Sequence, residues 1–283
     1  MKGIKIISIT TLTAVVIITA FTFKGKGNKM PQETQNDYTI HNSWQLPEIL
    51  NEVSGIVWLS EETMACVQDE DGVIFIYDLK DKKITNKIKF AGPGDYEGIA
   101  VRNNNVYVMR SDGTIFEVEN FRTKKIKVKK IETRFTSKNN IETLTLDPKT
   151  NDLLIAPKDR DFEDGFKGIY RVSIDGHETD AQPFIKIYMN DAAFTSHQKK
   201  KIYKTFRPSE VAVHPKTGEY YLLEGKDPKL VILDADGAIK TVHKLDKDTF
   251  AQPEGITFDP DGTLYISNES GDNEATILQV SFK

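Results

Sequence analysis

One cysteine, two tryptophans and five histidines are scattered through 283 residues. A lone Cys66 excludes any disulfide within the chain, so the fold must stand on packing alone. It lies in the apolar stretch Thr63–Val67 and reads as a small buried side chain. The histidines at 41, 177, 197, 214 and 243 do not cluster, and His177 and His214 fall in polar turns. Neither sign of charge dominates. Lys and Arg total 38 against 42 Asp and Glu, a formal net charge of −4, which argues against a nucleic-acid partner. The basic segment Lys124–Lys130 alternates lysine with apolar residues, the pattern of an outer strand guarded against edge pairing. Signatures of common enzymes are missing as well. There is no G-x-S-x-G, no H-E-x-x-H, no P-loop and no G-x-G-x-x-G.

One long apolar run is present, Ile6–Phe23, behind Lys2 and Lys5 and ahead of the polar segment Lys24–Lys29. This order is that of a signal peptide or a single membrane anchor. No cysteine follows it to carry a lipid. The expected organisation is therefore a signal peptide or anchor over 1–23, a polar tether over 24–36 and a folded domain over 37–283. The expected location is the cell envelope, with the domain either released outside the cytoplasm or held at the membrane by this segment.

Within the domain, five segments open on the same short phrase. They begin at Ser54-Gly55-Ile56, Glu97-Gly98-Ile99, Glu142-Thr143-Leu144, Ser209-Glu210-Val211 and Glu254-Gly255-Ile256. A period of about 40–50 residues holding several short strands is the mark of a β-propeller. Each repeat is a four-stranded blade that cannot bury its own faces until its neighbours stack on it. The longer third interval is one period plus an insertion. The opening strands are apolar at consecutive positions, as strands covered on both faces must be.

Strand by strand, the second repeat reads Gly98–Val101, Asn105–Met109, Thr114–Val118 and Ile126–Ile131, and the fourth reads equally well. Asp, Asn, Pro and Gly supply the hairpin turns. The fifth repeat ends after three strands, at Ala275–Phe282, while Tyr38–Leu46 precedes the first repeat without a blade of its own. The expected solution is an all-β, five-bladed propeller in which this N-terminal segment supplies the outer strand of the last blade and closes the ring. A six-bladed alternative would need a blade between Tyr188 and Arg207, which is too short for one.

The phrase Pro253–Glu269 resembles propellers of the NHL and gluconolactonase-like type. From Leu46-Pro47-Glu48 and Glu52–Ile56 through Gly94–Ile99 to its end, the chain resembles the SdiA-regulated, YjiK-like family. That resemblance implies an envelope-associated bacterial propeller and carries no catalytic residues across.

On this assignment the repeat starts form a ring at one mouth of the central channel. Glu97, Glu142 and Glu254 face a narrow space together, and crowded carboxylates need a cation or raised pKa values. Calcium is the natural guest of such an oxygen-rich ring. The structural alternative is that these residues accept backbone N–H groups of the next blade and pair with Arg110 and Lys158. The ends of the second strands bring Arg110, Lys158, Glu224 and Asn268 to the same face. The two longest departures from the repeat, Lys158–Lys167 and Asn190–Lys204, belong there too, and long loops on a rigid scaffold are where binding concentrates. Arg160, Phe162 and Phe166 are the expected anchors, since aromatic and arginine side chains dominate contact energies. The expected function is a binding module for an envelope protein, peptide or glycan. The alternative is a metal-dependent hydrolase of a lactone or phosphate ester, which needs the carboxylate ring to hold its ion.

Overall fold

The structure is a computed structural model and describes residues 37–60, 62–271 and 273–283. The signal peptide or anchor over 1–23 and the tether over 24–36 lie outside the described residues. Residues 37–283 form one compact unit.

Strand β1 (Tyr38–Gln45) comes first and belongs to the last blade. Blade 1 is β2 (Val53–Ser60), β3 (Thr63–Gln68), β4 (Val73–Asp78) and β5 (Lys83–Lys89). Blade 2 is β6 (Tyr96–Arg102), β7 (Asn105–Arg110), β8 (Thr114–Glu119) and β9 (Lys127–Glu132). Blade 3 is β10 (Thr145–Leu146), β11 (Leu153–Ile155) and β12 (Phe166–Ser173), with its outer edge split into β13 (Glu178–Thr179) and β14 (Ile185–Tyr188). Blade 4 is β15 (Glu210–Val213), β16 (Tyr220–Glu224), β17 (Lys229–Leu233) and β18 (Ile239–Lys244). Blade 5 is β19 (Pro253–Phe258), β20 (Leu264–Asn268) and β21 (Thr276–Phe282), completed by β1. The five-bladed reading holds, and the six-bladed alternative falls. The insertion after Tyr188 folds into two short 3-10 turns, Ala192–His197 and Ile202–Lys204.

Closure follows the expected pairing. β1 runs antiparallel to β21, with Tyr38 opposite Phe282 and Gln45 opposite Thr276. The Tyr38 ring meets Phe250 edge-on at 5.1 Å. Because each blade is covered by its neighbours, the hydrophobic core is divided among the seams. Val67, Ile74, Val108 and Phe116 fill the seam of blades 1 and 2. Cys66, Phe75, Tyr265 and Ile277 fill that of blades 5 and 1, so the ring closes through side chains as well as backbone. Burial pushes the Cys66 thiol up to about 12, the state of an inert core residue.

The innermost strands approach closely. A Cβ on Gly98 would stand 2.8 Å from the Glu142 carbonyl oxygen and 2.7 Å from Leu144 Cβ. In the three repeats that carry it, at Gly55, Gly98 and Gly255, glycine lets the innermost strand meet its neighbour closely. The lysine-rich stretch does form an outer strand, β9, exposed at all but one position.

Candidate functional site

Each innermost strand starts at the same end of the ring, and the turns from second to third strand return there. This end carries the channel mouth and both long loops. Two serines of the repeated phrase tie neighbouring blades at the mouth. Ser54 Oγ donates to the Tyr96 carbonyl at 2.6 Å, and Ser209 Oγ donates to that of Pro253 at 3.0 Å.

The carboxylates of the ring do converge, and the cation among them is a side chain of this protein. Lys158 pairs with Glu142 and stands 3.9 Å from Glu254. Burial raises the Glu142 carboxyl to about 8, helped by Glu254 and opposed by Lys158. Burial likewise raises Glu97 to about 10, with Glu142 and Asp95 adding to it. Glu254 is raised by burial against the pull of Lys158. Burial pulls the Lys158 ammonium down, but Glu254 and Glu142 more than offset this and keep it charged. Among the described residues, no three His, Cys, Asp or Glu side chains form a group that could hold a metal ion. Where a calcium ion was expected, Lys158 supplies a positive charge between Glu142 and Glu254.

A fourth acid, missed in the sequence, sits in this ring. Glu210 occupies the place held by Gly98 and Gly255 in other blades and is 1% exposed. Its Oε1 accepts the N–H groups of Leu144 at 2.7 Å and Val211 at 2.8 Å, while Oε2 is buried without a hydrogen-bond partner. Burial raises its carboxyl well above the ordinary range. The acid position in the phrase shifted by one residue, which was the available signal.

The remaining expected ligand residues divide. Arg110 is bound to its own turn, with Nη2 at 2.6 Å from Asp112 Oδ2 and Nε at 3.0 Å from Asp112 Oδ1. Glu224 is buried against Lys229 Nζ at 2.6 Å and accepts the Arg207 N–H at 3.0 Å. Asn268 is buried, and its Nδ2 donates to Thr276 Oγ1 at 3.1 Å. Phe166 begins β12, is 4% exposed and lies under Lys186 at 4.3 Å. Each of the four is engaged within the protein, with Arg110 still partly exposed and Asn268 Oδ1 buried without a hydrogen-bond partner. Their spacing placed them at the correct end of the ring, but spacing does not say whether a side chain is already engaged.

Arg160 and Phe162 remain, and they do face outward. The Arg160 guanidinium lies over the Tyr203 ring at 4.6 Å and pairs with Asp164 at 3.0 Å. The two long loops therefore meet at this stack. Lys167 and Lys204 approach the same ring at 5.9 and 6.0 Å. Phe162 is 49% exposed, packs on Phe135 at 5.1 Å and carries the Arg134 guanidinium at 4.1 Å. Beneath them Asp161 holds the first loop by accepting from Tyr170 Oη at 2.6 Å and the Gly168 N–H at 2.7 Å. The insertion is held by Phe194, stacked on Phe206 at 5.7 Å with both rings fully buried. Neither loop is a dispensable appendage of the repeat.

At the far end of the channel Trp58, Leu146, Val213 and Phe258 line an apolar cup of ≈ 410 Å³. Its carboxylate, Asp259, is engaged by the Asp261 and Thr263 N–H groups of its own turn. Among the described residues lining the cup, Asp259 is the only titratable side chain.

A family model described as SdiA-regulated matches residues 31–271. The chain belongs to the SdiA-regulated family. No curated protein matches this SdiA-regulated sequence significantly. Among solved structures it is similar to a Myxococcus xanthus glutaminyl cyclase, at 12% identity over 87% of this chain and 96% of that one, with a TM-score of 0.58. A streptogramin B lyase matches at 12% identity over 86% of this chain and 98% of the other, TM-score 0.53. A chain of a nidogen/laminin complex matches at 13% identity over 76% and 72%, TM-score 0.51. At such identities the likeness is one of fold, shared by enzymes and binding proteins alike.

Proposed function

We propose that this SdiA-regulated propeller is an exported or membrane-tethered binding module that captures a partner on its loop-rich face. The observation that carries this reading is the stack of Arg160 on Tyr203, which joins two long loops into one surface beside exposed Phe162. Both loops are braced from below, by Asp161 and by Phe194, so the surface is preorganised. The apolar run Ile6–Phe23 behind two lysines supports export or tethering. The hydrolase alternative lacks its requirement, since the described acids form no metal-holding group.

The test is capture from an envelope extract by the full chain and by Phe162→Ala and Tyr203→Ala variants. Point variants replace loop deletions because shortening either loop would uncover buried core. The reading expects wild type to retain a partner that both variants lose at unchanged melting temperature. Retention of every partner by both variants would place the binding surface elsewhere.

A further inference from the structure

We propose that the joint between the two loops is a docking site for an acidic, partly apolar peptide segment of a protein partner. This deepens the binding reading above and rests on it. The charge of the joint stands out from the rest of the molecule. Residues 190–207 hold four lysines and one arginine against a single Asp191, a local charge of +4 of which Arg207 is taken by Asp159 at 2.7 Å, while residues 158–167 hold three cations against four acids. Lys199 is taken by Asp227 at 3.0 Å. Lys200, Lys201 and Lys204 are exposed, and among the described residues none has a carboxylate partner.

Three cationic side chains, Arg160, Lys167 and Lys204, gather around the single Tyr203 ring. Lys167 is fully buried beside Asp161 and Asp159, so the cations an incoming carboxylate can meet are Arg160 and exposed Lys204, with Lys200 and Lys201 on the same loop. The anion now on Arg160 is Asp164, in an exposed pair of the kind that adds little to stability. A partner carboxylate can replace it at little cost.

Charge alone would suit any polyanion. Phe162 selects among them. Its half-exposed ring, backed by Phe135 and flanked by Arg134, offers an apolar contact beside the cations. A phosphate polymer has nothing to place on that ring. A peptide alternating carboxylates with apolar side chains satisfies both parts.

The experiment uses fluorescence anisotropy on the full chain in detergent micelles. The probe is a fluorescein-labelled dodecapeptide repeating glutamate, glutamate, leucine. Comparison probes replace each leucine by serine, replace each glutamate by lysine, or are inorganic polyphosphate of equal charge. The glutamate–leucine peptide is expected to bind tightest, and added salt to weaken it. A K200E/K201E/K204E variant should lose about ten-fold in affinity and Phe162→Ala several-fold. The control K124E/K125E/K127E reverses equal charge on the opposite face, in the turn before and at the start of β9, and should bind like wild type.

Equal loss in the control variant overturns the proposal, because net charge alone then explains binding. So does polyphosphate binding as tightly as the peptide, or no binding of the peptide at all. If a partner is captured through Phe162 and Tyr203 but is insensitive to the triple reversal, the loop face stands and the acidic class falls.

Discussion

The Lys158 ammonium pairs with the buried Glu142 carboxylate in the channel and reaches to 3.9 Å from Glu254. A cation supplied by the turn after β11 therefore neutralises acids presented by the innermost strands of blades 3 and 5. Breaking a buried ion pair from one side costs at most about 3–5 kcal/mol, reduced where the orphaned acid takes up a proton as the raised Glu142 carboxyl can. Lys158→Met should lose up to that much in urea unfolding, and Glu142→Gln added to it should recover part of the loss. A single variant as stable as wild type would show that the pair is incidental.

The same ring sets a pH dependence. Glu142 titrates near 8 and Glu97 near 10 in the folded state, both above the ordinary 4.5 of an unfolded chain. The folded domain then binds more protons than the unfolded one, and their stabilisation is complete below the unfolded value and lost as pH rises through the folded one. Melting temperature should therefore fall between pH 5 and pH 7.5. Glu97→Gln should flatten this slope. A wild-type melting temperature that rises over that interval would contradict the assignment. Above pH 8 the opposite contribution of Lys167 enters, since burial lowers its ammonium to about 8.

Ring closure can be tested by removing β1. A chain truncated to begin at Leu46 exposes the edge of β21 and part of the seam around Tyr38 and Trp44. It should lose its cooperative melting transition, and a synthetic peptide of residues 37–45 should restore it. Full cooperativity in the truncated chain would mean that the strand is not needed for closure.

Gly98 tests the spacing of the innermost strands. Gly98→Ala places a methyl group 2.8 Å from a backbone oxygen of blade 3, a contact that must be relieved by moving a strand. A destabilisation of about 1–3 kcal/mol is expected in denaturant unfolding. Alanine at Gly165, where a Cβ meets nothing within 4 Å, should be close to neutral by comparison.

The ring of blades was legible because a propeller writes its period into the chain. The phrase at Gly55, Gly98 and Gly255 marks strands that must pack backbone to backbone, and an unfinished fifth repeat calls for Tyr38–Gln45 to complete it. The occupancy of the site was less legible. Phe166 reads as a loop aromatic because the loop before it is long, yet it is the first residue of an eight-residue strand. Arg110 and Glu224 stand at the expected end, but Arg110 is held by Asp112 of its own turn and Glu224 is buried against Lys229. Tyr203 was invisible as a centre, because only tertiary folding brings Arg160 across 43 residues of chain to stack on it.

The central claim is that partners meet the protein where its two long loops join. A photo-crosslinking amino acid placed at Phe162, with a control at exposed Val128 on the outer strand of blade 2, tests it most directly in intact cells. The account predicts a discrete adduct from position 162, abolished by Arg160→Ala and Tyr203→Ala together, and none from position 128. No adduct from 162, or the same adducts from both positions, would contradict it.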